Sequence, residues 1–198
     1  MTRAALLALA ACGSAPPVVA NRAEPTPVTP TPFAGLFRAD ASWRFAAETT
    51  VDGATTHGTV TCRIDSVLPI AHGSVSSLRC DGMQYANRID HRFVATAAGL
   101  WIVGDDFAGD AATLAPAAMV MSSPPRENMQ STMEDRSYPT GHLLVVAPHG
   151  DAWCITDSGF GGDETGWELC VSTTRGVVGG RGFVAGWFET RFGDFLRY

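Results

Sequence analysis

Lysine is absent from the chain: all 14 basic residues are arginines. Chemistry that depends on a nucleophilic or neutral lysine is therefore excluded. Helical periodicity is nearly absent as well. Only Arg126–Asp135 hints at it, in a polar stretch that follows Pro124-Pro125. No apolar run approaches the ~20 residues of a membrane-spanning helix. Metal-ligand spacing is missing too. The histidines (His57, His72, His91, His142 and His149) are scattered, and no two cysteines stand two to four residues apart, as zinc sites usually require. The net charge of −6 has no basic patch within it. Such a surface repels phosphate backbones, so nucleic acid is not an expected partner. The Gly-rich run Arg175–Gly182 follows no strand-to-helix pattern, which excludes a phosphate loop. It reads as a wide hairpin turn.

What is present is a globular balance, 17% charged and 45% hydrophobic over 198 residues, sized for one domain with appendages. The opening MTRAALLALAACG has a positive Arg3, a short apolar run Ala4–Ala11, and a small-residue end. Leu9-Ala10-Ala11-Cys12 resembles the lipobox of bacterial lipoproteins. The resemblance covers these residues alone. It implies that residues 1–11 are a signal peptide removed in export. It further implies that Cys12 becomes an N-terminus carrying fatty acyl groups, such as palmitate, on sulfur and nitrogen. Each buried CH₂ contributes roughly 0.8 kcal/mol, so several chains anchor a protein where one does not. Gly13 at the following position fits onward export to an outer membrane. An ordinary secretory signal, or a short buried helix whose Cys happens to fall there, is the alternative. Residues 12–32, with six prolines and a Thr-Pro alternation, favour extended polyproline II at ~3.1 Å per residue and read as a tether.

Five cysteines are an awkward number for an exported chain. With Cys12 committed to lipid, Cys62, Cys80, Cys154 and Cys170 remain. Cys62 and Cys80 are centred on Pro69-Ile70-Ala71-His72-Gly73, and Cys154 and Cys170 on the glycines around Gly162. Each pair has the symmetry of two residues facing each other across a hairpin, within disulfide range. The register Cys62–Cys80 sets Ile64 opposite Leu78, but also Arg63 opposite Arg79, a like-charge contact. The register Cys154–Cys170 sets Trp153 opposite Val171 and Ile155 opposite Leu169. Reduced core thiols or a four-cysteine zinc site are the alternatives.

The remainder, residues 33–198, reads as one all-β domain. Short strand patterns punctuated by Gly, Asp and Pro occur at Ser42–Val51, His57–Val67, Ser74–Asp81, Asn87–Ala95, Leu100–Gly104, Leu143–Ala147, Ala152–Thr156, Trp167–Ser172, Phe183–Thr190 and Phe192–Tyr198. This spacing predicts an antiparallel β-sandwich or a barrel-like sheet, with a long irregular connection around 105–140.

Several side-chain groupings suggest chemistry. Cys154-Ile155-Thr156-Asp157-Ser158-Gly159 resembles the nucleophile loop of chymotrypsin-like proteases. Val67–Gly73 resembles that family's histidine segment, with Asp105, Asp106 or Asp110 between them. However, Thr156 stands where the oxyanion-binding glycine belongs, and Phe160 replaces a second glycine. The stretch from His72 to Ser158 is also short for a double barrel, so hairpin turns explain both loops. Asp157, Asp163 and Glu164 are weak candidates for a Ca²⁺ site, without EF-hand spacing. Met119, Met121, Met129 and Met133 with His142 offer soft ligands for Cu(I), or adaptable apolar filler. Trp43, Trp101, Trp153, Trp167 and Trp187 offer sugar-stacking platforms, though Trp in small β-domains is usually core.

No catalytic constellation and no cofactor are implied. The expectation is a lipid-anchored protein of the cell envelope, facing the periplasm or the cell surface. Its membrane contact runs through the anchor, and its role is binding or structural toward a small molecule, a lipid or an envelope protein. An envelope hydrolase with an unfamiliar site is the alternative. The intact mass of the mature protein is expected to show acylation at Cys12 and a gain of four hydrogens on reduction. A mass beginning at Met1 with five alkylatable thiols contradicts both assignments.

Overall fold

The computed structural model describes Phe33 and residues 38–105, 107, 109–114, 119–127, 130–135, 138–157, 165–184 and 186–197, with 130–135 and 138–142 described by backbone pairing alone. Cys12 with its lipobox, the tether to residue 32, Asp106, Met129, Ser158, Asp163 and Glu164 lie outside the described residues. The described strands are β1 Ser42–Val51, β2 Ala54–Ile70, β3 Gly73–Asp81, β4 Asp90–Ala95, β5 Gly99–Val103 and β6 Met119–Ser122. They continue with β7 Gln130–Asp135, β8 Tyr138–His149, β9 Ala152–Asp157, β10 Thr165–Ser172, β11 Gly176–Val184 and β12 Phe188–Gly193.

All are antiparallel and form a single sheet in the order β6-β5-β4-β3-β2-β1-β12-β11-β10-β9-β8-β7. Each strand therefore pairs with its neighbours in sequence, and β1 pairs with β12 to join the chain's first and last strands. Only β6 and β7 carry no ladder between them, although β6 approaches both β7 and β8. The result is an up-and-down sheet nearly closed into a barrel, which agrees with the all-β, barrel-like expectation.

Period-2 alternation decides which side chains fill the interior. Val60, Cys62 and Ile64 of β2 meet Leu78 and Cys80 of β3, Phe93 of β4 and Leu100 of β5. From the other half come Leu144, Val146, Ile155, Trp167, Leu169 and Phe192, all in one buried cluster. Phe33 is buried in it too, at 1% exposure. Part of the outer face is covered as well. Val75, Val94 and Trp101 form an outward row over which Ala111, Phe107 and Leu114 fold back. That double burial explains why β5, Gly-Leu-Trp-Ile-Val, is apolar throughout rather than alternating. The closing 3₁₀ turn Asp194–Arg197 likewise lays Phe195 on Ala152, Cys154, Cys170 and Val178.

The cysteine registers are found as the hairpin symmetry predicts. Cys62 faces Cys80 and Cys154 faces Cys170, each with Cα atoms 4.0 Å apart and sulfurs at bonding distance. Ile64–Leu78, Ile155–Leu169 and Trp153–Val171 are also opposite each other. In the chain-entropy picture, loops of this size contribute roughly 3 kcal/mol each. The like-charge contact is also present, since Arg63 faces Arg79. It is relieved by carboxylates: Arg63 bonds Asp65 at 2.7 Å and Asp81 at 2.6 Å, and Arg79 reaches Asp90 at 3.8 Å.

Four expectations are corrected. The connection around 105–140 is not irregular throughout, because β6 and β7 lie within it. The helical hint at Arg126–Asp135 yields to β7, whose backbone pairs with β8 from Gln130–Val145 onward. Ladder bonds to a neighbouring strand outweigh a weak local preference. Phe183–Thr190 is not one strand; it breaks at a turn containing Gly186, whose φ of 78° suits glycine. Arg175–Gly182 is not a wide turn: Gly176–Val184 is β11, paired on both sides.

The glycines of β11 have a steric cause. The connection from β3 to β4, with its 3₁₀ turn Ala86–Arg88, crosses to β11 and fills the space a side chain on Gly182 would need, while Gly176, Gly179 and Gly180 lie against Trp43, β12 and the Glu168 carbonyl. A Cβ on Gly182 would fall on the carbonyl oxygen of Tyr85. One on Gly180 would strike Phe192 and approach Ile89 at 3.3 Å. Gly182→Ala is therefore expected to cost about 2–3 kcal/mol through overpacking, read as a lowered urea midpoint with disulfides intact. Gly150→Ala, in an open turn at φ 62°, is expected to cost about 1 kcal/mol from backbone strain alone. Equal effects of the two changes contradict the packing of the Tyr85 carbonyl against Gly182.

Candidate ligand-binding site

Two hairpin turns meet at one end of the barrel. Asp52-Gly53 joins β1 to β2, and Gly186-Trp187 lies between β11 and β12. Asp52 donates its amide to the Trp187 carbonyl at 3.5 Å, and Trp187 donates its own to Val184 at 3.1 Å. Held this way, the Trp187 side chain stands 65% exposed. Below it a groove of about 620 Å³ opens on the outer face of β1, β12 and β11. Its walls include Glu48, Asp52, Arg181, Phe183, Glu189 and Arg191.

The floor of the groove is a charge ladder set by strand register. Arg181 bonds Glu168 at 2.7 Å and Glu189 at 3.1 Å, and Arg191 bonds Glu189 at 2.8 Å. Glu48 lies directly opposite Arg191 and on its other side pairs with His57 at 3.3 Å. The Arg181 guanidinium sits over the Phe183 ring at 5.1 Å. Burial opposes its charge, but Glu168 and then Glu189 outweigh burial and hold Arg181 above its ordinary value. Partial burial pushes Glu189 up; the hydrogen bonds from Arg191 and Arg181 win, holding its carboxyl below the ordinary 4.5. At the rim, Phe188 stacks on Tyr85 with centroids 5.3 Å apart. Tyr85 also lines a second depression with Met83, Gln84, Asn87 and Arg88.

The residues singled out in the sequence are dispersed. His72 bonds Asp110 at 3.1 Å, an arrangement that superficially resembles a base and its orienting acid. The pair sits at the β2–β3 turn, whereas Asp157, next to Ser158, ends β9 at the opposite end of the barrel. Among the described residues no protease triad is assembled there. The contact instead pins the outer flap, together with the Ala111 amide on the Ala71 carbonyl. The Ala112 amide and then the His72 ring lower the pKa of Asp110. Asp157 is not a solvated turn residue; it is 3% exposed, within β9 and in register with Trp167. Among the described residues one trio has metal-ligating geometry, Cys154, Glu168 and Cys170, and both of its sulfurs are in the disulfide.

Among the described residues, Met121 is in the interior and Met119 packs against the outer cluster, and the backbone of Met133 pairs with that of His142 in the β7–β8 register. Of the tryptophans, Trp101 and Trp167 are buried, while Trp43 and Trp153 pack against the main core. Trp187 departs from the expectation of a core role. The signal for it was local: Trp187 and Phe188 are adjacent, and alternation cannot turn both inward. The interior has its own polar groups. Ser76 is fully buried opposite Phe93, and the His91 ring lies 4.4 Å from that of Trp167. Comparison with family models, curated proteins and solved structures returns no match for the chain.

The Glu189 linkage has a definite sign. A carboxyl with a depressed pKa stabilises the fold above its ordinary value, and that contribution disappears as pH falls through the lowered one. Glu189→Gln is thus expected to lower the unfolding free energy at pH 7, read from urea titration, by less than about 1 kcal/mol. The wild-type advantage should vanish as pH drops below 4.5. A deficit unchanged down to pH 2 contradicts the ladder.

Proposed function

We propose that this protein is a binding protein of the bacterial cell envelope, held to a membrane by acyl groups on Cys12. Its ligand site is the groove beneath Trp187. The observation that carries the reading is a tryptophan 65% exposed beside a groove whose polar walls are already fixed by ion pairs. Tryptophan, with an apolar body and a polar N–H, is enriched where a partner docks. A groove of about 620 Å³ falls within the range of small-ligand sites.

One further feature supports the envelope assignment. Paired cysteines across hairpins suit an oxidising compartment.

Trp187→Ala in the full chain is expected to change the unfolding free energy by no more than about 0.5 kcal/mol, because the side chain is exposed. A small molecule that stabilises the wild type at 100 times its Kd adds about 2.7 kcal/mol. That gain should be absent from the variant in thermal unfolding. Ligand stabilisation that survives Trp187→Ala places the site elsewhere.

A further inference from the structure

Resting on that binding reading, we infer that the groove takes a neutral saccharide, with one pyranose stacked on Trp187 and its hydroxyls bonded to the Glu48–Arg191–Glu189–Arg181 row. The aromatic wall sets the first requirement. Indole presents a flat, electron-rich face, and Phe183 adds a second ring. A matching ligand needs a flat face of C–H groups. The polar wall sets the second. The register sets the two guanidiniums opposite each other and Glu189 bridges them, Arg181 to Glu189 at 3.1 Å and Arg191 to Glu189 at 2.8 Å. A guanidinium has five N–H donors and a carboxylate about four acceptor sites. On Arg181 and Glu189 the ladder contacts use only part of that capacity. What remains is a run of donors and acceptors side by side, the pattern that adjacent hydroxyls complement.

Charge balance separates this ligand from the competing classes. The groove is lined by three carboxylates, Glu48, Asp52 and Glu189, and two guanidiniums, Arg181 and Arg191. An anion meets the three acids and a cation meets the two arginines, so neither gains a clear field. An acyl chain would strip water from the whole row without replacing its hydrogen bonds, at a cost of roughly 1–3 kcal/mol for each group left unpaired. A polyhydroxylated, uncharged ring satisfies both walls at once. The ladder also holds the long Arg and Glu side chains in place before binding, which reduces the ordering cost of the complex. Asp52, fixed beside Trp187 by the hairpin contact, supplies an acceptor at the edge of the ring.

The test uses the full acylated chain in a detergent without a sugar headgroup. It is titrated with neutral oligosaccharides of glucose and of N-acetylglucosamine, in α- and β-linked forms. Tetramethylammonium, a uronic-acid oligomer and a fatty acid serve as competing classes. Acrylamide quenching of tryptophan emission, to which the exposed Trp187 is the main contributor, reads the wild type and Glu189→Gln, and titration calorimetry reads binding in every variant, Trp187→Ala included. At least one neutral oligosaccharide is expected to protect saturably. Trp187→Ala should weaken it by roughly 30-fold, the loss typical of a hot-spot aromatic. Trp187→Phe should restore part of that loss, and Glu189→Gln should weaken binding without altering the quenching of the free protein. Saturable protection by the cation, the uronic acid or the fatty acid alone leaves the binding site standing and overturns the saccharide assignment. Saccharide binding that is indifferent to Trp187→Ala overturns the assignment to this groove. No protection by any member of the panel overturns both readings.

Discussion

The pairing of β1 with β12 is the constraint on which the rest of the molecule depends. Without it, β1–β6 and β7–β12 are two meanders built from local hairpins. With it they become one sheet that curls toward closure. Its register, from Ala47–Phe192 to Val51–Phe188, aligns residues more than a hundred positions apart. A buried bond between the Thr49 and Thr190 hydroxyls, 2.7 Å long, lies on the seam, and Thr190 also donates to the Gln84 carbonyl. Buried hydroxyls are costly unless satisfied, so this contact specifies the register as well as stabilising it. The same pairing sets Glu48 opposite Arg191 and brings the Asp52 turn against the Trp187 turn. Closure of the sheet and construction of the groove are thus one event.

The disulfides act at a different level. They span 18 and 16 residues, each within one hairpin or adjacent strand pair, so they shorten local loops and do not close the barrel. One lies inside with Val60 and Leu78; the other lies under Phe195 on the outer face. Each thus locks a register in a different half of the sheet. A one-residue slip would turn every side chain of a strand to the wrong face, and a covalent bond between opposed residues forbids it. That is the more useful contribution in a fold whose closure depends on distant strands meeting in register.

The parts of the fold that were legible in the sequence are those governed by neighbours along the chain. The Cys62–Cys80 and Cys154–Cys170 hairpins were readable because symmetry about a turn, cysteine parity and apolar alternation all agree there. β11 was not, because glycine is locally a turn signal, and its reason here is the Tyr85 carbonyl lying against Gly182. That contact involves residues nearly a hundred positions apart, so no local pattern encodes it. β6 and β7 were missed because they are short and their strand character comes from pairing with β5 and β8. The groove was hidden for a related reason. Arg181, Glu189 and Arg191 look like scattered surface charges until the register of β10, β11, β12 and β1 lines them up. Trp187 reads as core because tryptophan in small β-domains usually is, as the other four are here, buried or packed on the core.

The charge ladder is a poor explanation of stability and a better one of recognition. Exposed ion pairs contribute little, commonly 0–1 kcal/mol, and Arg63 with Asp65 and Asp81 shows that the fold uses such pairs elsewhere simply to relieve a like-charge contact. The row beneath Trp187 differs in three ways. It crosses several strands, it is partly buried (Glu168 at 13% and Glu189 at 24% exposure), and it lies against aromatic rings. A sheet needing only solubility could scatter its charges freely. Gathering them into one connected row next to an uncovered indole fixes directional donors and acceptors on a rigid surface. Strand register supplies that rigidity, so the interactions that close the barrel also determine what its outer face can hold.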